Sequence, residues 1–258
     1  MNNLLQNILI AFSTLLCLML YSQNNKFEYQ TYQDNGITMP YRILFPKNYN
    51  ENKKYPLLLF LHGAGERGND NELQLTHGSS QFLNESFRQN YPCIIVFPQC
   101  PKDGYWANAK TVNEPVKFSF NKKPKNNRML DLVEGILKTI RQKYLIDKKR
   151  IYVGGLSMGG MGTYEMVYRN PRLFAAAFAI CGGANPMIAR KIRRPSWRID
   201  HGDEDSVVPI KLSEQMVTSL ENQKANVKYN IYKGVNHNSW DNVFADVSFL
   251  PWLFSQKK

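Results

Sequence analysis

Residues 154–162 read GGLSMGGMG: one serine among five glycines and two methionines. Such a run has few side chains to fill a core and too many glycines for an ordinary helix. Before it comes RIYVGG (150–155), a short β-branched and aromatic stretch that reads as a buried strand. After it comes MGTYEMVYRNP, in which Met161, Tyr164, Met166 and Val167 recur at helical spacing and Asn170 and Pro171 supply a stop. Ser157 therefore falls at a strand-to-helix turn. Gly155-Leu156-Ser157-Met158-Gly159 fits the pattern G-x-S-x-G, in which the serine backbone is strained and strand and helix approach too closely for Cβ atoms.

The rest of the chain supplies a sheet for that turn. Residues 27–33 and 39–46 alternate and are joined by DNG, a hairpin signal. YPLLLFLHG (55–63) and CIIVFPQ (93–99) are continuous apolar runs, as expected of parallel strands covered on both faces. Residues 129–144 have helical spacing through Leu130, Leu132, Val133, Ile136, Leu137 and Ile140. Strands are then expected at 175–180, 197–200 and 227–232, with a helix opened by Pro209 and a partly helical tail over 241–254. Strands alternating with helices define an α/β fold. Its sheet is mostly parallel with helices on both faces, it is led by an antiparallel hairpin, and it carries no large lid. No linker or internal repeat divides the chain.

In parallel α/β sheets, sites form beyond the carboxyl ends of the strands. HGAGERG follows the strand at 55–61, HGDEDSVVP follows 197–200, and KGVNHNSW follows 227–232. A serine hydroxyl needs a base within hydrogen-bond reach. In this architecture the order along the chain is Ser, then Asp or Glu, then His, and His237 is the one histidine that follows both Ser157 and the acidic loop. The acid is Asp203, Glu204 or Asp205, which spacing does not separate. Backbone N–H groups of Met158 and Ala64 are the expected oxyanion donors, by their places after the nucleophile and after the earlier strand. His62 and His201 read as loop-shaping residues, and His77 has no assigned role. Trp106 and Trp240 either line the substrate pocket or pack as ordinary large aromatics.

The motifs LFLHGAGERG, IIVFPQCP with the later YW, RIYVGGLSMGGMGTY, HGDEDSVVP and NHNSW together resemble the esterase branch of the α/β-hydrolases. That branch holds phospholipase/carboxylesterase-like, polyhydroxybutyrate-depolymerase-like and feruloyl or acetylxylan esterase-like proteins. The C-terminal half is also similar to prolyl-oligopeptidase catalytic domains. The resemblance spans most of residues 55–240. It implies that the acid is the fifth residue of HGxxDxxVP, here Asp205, and so a triad of Ser157, Asp205 and His237. It implies carboxylic ester hydrolysis through an acyl-enzyme without metal or cofactor, with cleavage of short peptides by the same triad as the alternative. The substrate is expected to be a small-molecule or polysaccharide-linked ester.

Residues 8–20 are apolar for 13 residues, short of the roughly 20 that span a bilayer and within the length of a signal-peptide core. Residues 1–22 are accordingly expected to direct export to the periplasm or outside the cell. That leaves 23–258 as a single catalytic domain without an integral span. Leu15 and Leu16 before Cys17 argue against a lipoprotein site. For Cys93, Cys100 and Cys181, one disulfide with a free thiol and three buried thiols both stay open. The net charge of +12 favours anionic surfaces, but no nucleic-acid motif accompanies it. Residues 102–128 hold seven lysines and arginines against Asp103 and Glu114. The stretch leaves the sheet at the edge where a site forms, and it reads either as a wall of the cleft that draws in substrates on an anionic matrix or as a solvated loop whose charges aid solubility. The sequence does not reveal the oligomeric state.

Overall fold

In the computed structural model, which describes residues 26–112, 117–124 and 126–258, the DNG signal is a two-residue hairpin. Asn35 and Gly36 both take positive φ (45° and 77°), as the tight turn between β1 (Glu28–Asp34) and β2 (Ile37–Leu44) requires. The expected export segment lies outside the described residues, as do Glu114 and Lys125. No helix among the described residues is long and apolar enough to cross a membrane.

β3 (Tyr55–Leu61) is buried along its whole length. Leu57, Leu59 and Leu61 enter one apolar cluster, and Leu58 and Phe60 enter another on the opposite face, as the two-residue period of a strand dictates. Behind β3 come the short helices α1 (Ser79–Leu83) and α2 (Glu85–Asn90), then β4 (Ile94–Pro98). The basic stretch that follows forms a separate antiparallel pair, β5 (Ala109–Val112) and β6 (Lys117–Phe120), which the sequence pattern did not announce. α3 (Arg128–Lys143) starts at Asn127, whose side chain accepts from the N–H groups of Met129 and Leu130. Such a cap contributes about 1 kcal/mol.

β7 (Ile146–Leu156) leads straight into α4 (Met158–Arg169). β8 (Ala176–Ile180), α5 (Ala189–Ile192), β9 (Ser196–Gly202), α6 (Lys211–Asn222), β10 (Val227–Tyr232), α7 (Ser239–Ala245) and α8 (Phe249–Ser255) complete the order. Pro209 stands two residues before α6 rather than inside its first turn. The sheet runs β1-β2-β4-β3-β7-β8-β9-β10. β2 is antiparallel to β1 and to β4, and every other pairing is parallel. Residues of α3, α4 and α6 fill one face, and residues of α1, α2, α7 and α8 fill the other. The ends of β3, β7, β9 and β10 therefore bring their loops to one edge.

Candidate active site

Ser157 occupies the junction of β7 and α4 with φ 54° and ψ −117°, a region that non-glycine residues enter only under constraint. Its N–H donates to the Ile180 carbonyl at 2.8 Å, and its own carbonyl accepts from Met161 at 3.0 Å. The two motif glycines make the crossing possible. A Cβ at Gly155 would stand 2.4 Å from the Leu61 carbonyl oxygen, and one at Gly159 only 1.9 Å from it. The backbone of the turn thus rests on β3.

His237 Nε2 lies 2.9 Å from Ser157 Oγ, and its Nδ1 lies 2.8 Å from Asp205 Oδ2. The carboxylate only accepts, so Nδ1 carries the proton and Nε2 is the lone pair facing the serine. Asp205 Oδ1 accepts from the N–H groups of Val207 and Val208 at 2.9 and 2.8 Å. Burial pushes the Asp205 carboxyl up. Donors from His201, His237 and the Val208 N–H outweigh that and hold it well below the ordinary carboxylate range. The loop's other acids are elsewhere: Asp203 accepts from the Gly234 N–H at 2.7 Å, and Glu204 is exposed. Asn236 ties the loops together, its Oδ1 accepting from the backbone and hydroxyl of Ser206, each at 3.0 Å.

Ala64 begins a 3₁₀ turn, Ala64–Glu66, after β3, and Met158 begins α4. A Cβ at Gly63 would lie 3.7 Å from the Ser157 Cβ, so this turn abuts the elbow. His62 shapes it. Its Nδ1 donates to the Gly63 carbonyl at 2.6 Å, and its Nε2 accepts from the Cys100 N–H at 3.0 Å. Burial brings the imidazole down to about 4, so His62 stays neutral.

Of the two readings left open for Trp106, pocket lining and ordinary packing, the structure shows packing. The residue is fully buried, its indole N–H donates to the His62 carbonyl at 3.1 Å, and its ring meets His62 edge-on. It props the turn from within the core and presents no surface to a cleft. Trp240 is partly exposed and meets the His237 ring edge-on, with centroids 5.5 Å apart. Its other neighbour is His77, at 5.0 Å, which in turn lies 3.7 Å from the buried Glu66. Neither His77 nor Glu66 carried a sequence signal for this place. His77 lies in polar loop sequence, and Glu66 stands in HGAGERG with no role of its own.

Cys93, Cys100 and Cys181 are buried free thiols. Among the described residues, the atoms of Cys181, Asp205 and His237 that could ligate a metal lie within 4.8 Å of one another. Two of these three residues already bond to each other, and burial holds the Cys181 thiol in its protonated form.

The sheet order, the strained serine at the β7–α4 junction and the acid and histidine loops beyond β9 and β10 define an α/β-hydrolase. The chain belongs to the phospholipase/carboxylesterase family, whose model matches residues 48–250. It is 27% identical over 192 residues to a bifunctional acetylxylan esterase/xylanase of Neocallimastix patriciarum, covering 74% of this chain and 25% of that protein. It is 26% identical over 143 residues to a probable feruloyl esterase C of Aspergillus flavus, covering 55% of this chain and 46% of that one. The crystal structure of a thermostable esterase superposes with a TM-score of 0.82 at 35% identity, over 91% of this chain and 64% of that one. The chain thus spans from a quarter to under two thirds of the length of these relatives.

Proposed function

We propose that this protein is an exported serine esterase. The observation that carries the reading is the hydrogen-bond chain from Ser157 Oγ through His237 to Asp205, at 2.9 and 2.8 Å, set on a strained strand–helix turn. Ser157 Oγ attacks the ester carbonyl carbon as His237 Nε2 takes its proton. The tetrahedral oxyanion is held by the Met158 and Ala64 N–H groups, and Asp205 stabilises the imidazolium. His237 then gives the proton to the departing alcohol oxygen, leaving Ser157 acylated. Water repeats the sequence and releases the acid. No step calls for a metal or cofactor.

The acetylxylan and feruloyl esterase relatives support ester groups on plant polysaccharide as the substrate class. Trp240, partly exposed beside the base, is the aromatic surface placed to meet a sugar or aryl group. The apolar run at residues 8–20 supports export. A substrate panel tests the reading. Acetylated xylan, methyl ferulate and p-nitrophenyl acetate are expected to be hydrolysed, and aminoacyl p-nitroanilides to remain intact. Turnover of the anilides alone would replace the esterase reading with a peptidase.

A further inference from the structure

Asp205 Oδ2 has a second imidazole on it. His201, fully buried near the end of β9, places Nε2 at 3.2 Å from that oxygen and at 2.8 Å from the Val208 carbonyl. Both neighbours of Nε2 only accept, so Nε2 carries a proton. On the other side of the ring, Nδ1 lies 2.7 Å from Ser213 Oγ, and that hydroxyl lies 3.1 Å from the Gly182 carbonyl. Gly182 is packed against the nucleophile helix, since a Cβ there would stand 2.8 Å from the Gly160 carbonyl carbon. Ser213 has one proton to give. It goes to Nδ1 or to the Gly182 carbonyl, and in either case the Nε2–H of His201 faces Asp205.

The geometry points to His201 as a positioning residue that shares the triad acid with His237: its Nε2–H fixes the orientation of Asp205 and takes up part of the charge that His237 would otherwise feel alone. The inference rests on the Ser157–His237–Asp205 reading above. Its consequence is specific. With His201 gone, Asp205 Oδ2 bonds to His237 only. The carboxylate then acts on His237 alone, which favours the protonated form of His237. His237 must be neutral to act as base, so the acid limb of the activity profile moves to higher pH.

The other titratable groups around the pair do not produce this shift. Cys181 is held protonated by burial, Asp200 is paired with Arg198 at 2.9 Å, Asp203 is bonded to the Gly234 N–H, and Glu204 is exposed. His77 meets His237 only across the Trp240 ring.

The test is kcat/KM against pH for wild type, His201→Gln and His201→Leu on p-nitrophenyl acetate. His201→Leu is expected to lose about tenfold or more in kcat and to move the acid limb up by at least about half a pH unit. His201→Gln, which keeps a side-chain N–H, is expected to stay near the wild-type limb. An unchanged limb in a folded His201→Leu enzyme overturns the inference, because a residue that merely fills space would lower kcat without moving it. Histidine-selective ¹⁵N spectra of the wild type decide the matter if that variant does not fold. His201 Nε2 protonated across the active pH range supports the inference, and Nε2 unprotonated overturns it. Failure of the triad reading looks different: the wild type then lacks esterase activity, or Ser157→Ala retains it.

Discussion

Gly159 and Leu61 touch backbone to backbone: a Cβ on residue 159 would come within 1.9 Å of the Leu61 carbonyl oxygen. No side-chain rearrangement relieves such a contact, because the obstacle is the main chain of the central strand. Gly159→Val is therefore expected either to prevent folding or to displace α4 and with it Ser157. A misplacement of about 1 Å lowers turnover about 10²-fold. Thermal melting and p-nitrophenyl acetate turnover of the purified variant check this, and a stable, fully active Gly159→Val protein would contradict it.

The choice among the three adjacent acids has its own test. Asp205→Asn leaves His237 with an amide neighbour in place of a carboxylate and is expected to lower kcat by up to about 10⁴-fold. Asp203→Asn keeps an oxygen to accept the turn bond from Gly234 and is expected to stay within a few-fold of wild type. Steady-state kinetics on the two variants, side by side, separate them. A crippled Asp203→Asn beside an active Asp205→Asn would reassign the acid.

Long regular patterns were legible in the sequence, and local tertiary choices were not. β3 could be read because an unbroken apolar run fits a strand covered on both faces, α3 because a period of 3.6 over many residues marks a helix, and the order of Ser157, the acidic loop and His237 followed from chain direction. β5 and β6 were missed because each is only four residues long within a basic stretch. Phe118 and Phe120 gain their burial only by packing near Met161 and Val208, which lie far along the chain. β7 begins at Ile146, earlier than its apolar part suggests, because Ile146, set apart by the polar residues 147–150, pairs with Tyr55 across a register shift. Trp106 illustrates the limit most clearly. An indole in a loop at the site edge can face the cleft or the core, and the bond to the His62 carbonyl that decides the matter spans 44 residues. The sharing of Asp205 by two imidazoles was equally hidden, although His201 stands just four residues before it.

His62 predicts a pH dependence of stability. Its folded value of about 4 lies below the ordinary 6.5, so between these values the unfolded chain binds the proton and the folded one does not. Stability is full above pH 6.5 and falls as the pH drops toward 4, by about 3 kcal/mol from this group. Asp205, with its value lowered from 3.8, contributes only below that window. Melting temperatures from pH 7 to 4.5 are expected to fall for wild type and to be flatter for His62→Gln. Parallel curves would remove His62 as the source.

Lys110, Lys122 and Lys123 are exposed on and beside the β5–β6 hairpin, whereas Arg128 is paired with Asp34 at 2.7 Å. If the hairpin draws in esters carried on an acidic polysaccharide, the Lys110→Glu, Lys122→Glu, Lys123→Glu triple variant lowers kcat/KM for such a substrate at low salt. The difference disappears near 0.1 M ionic strength, where screening acts over about 10 Å. Kinetics on a small neutral ester are expected to be unaffected. Equal low-salt rates on the acidic substrate would show that the charges serve solubility alone.

The central claim is that Ser157 becomes acylated. Wild-type protein quenched in acid during turnover of p-nitrophenyl acetate, then digested and mapped by mass spectrometry, is predicted to carry the acetyl group on Ser157. A fluorophosphonate is predicted to label the same residue one to one, and Ser157→Ala to show neither adduct nor turnover. Undiminished ester hydrolysis by Ser157→Ala, or an acetyl group mapped to another residue in the wild type, would contradict the account.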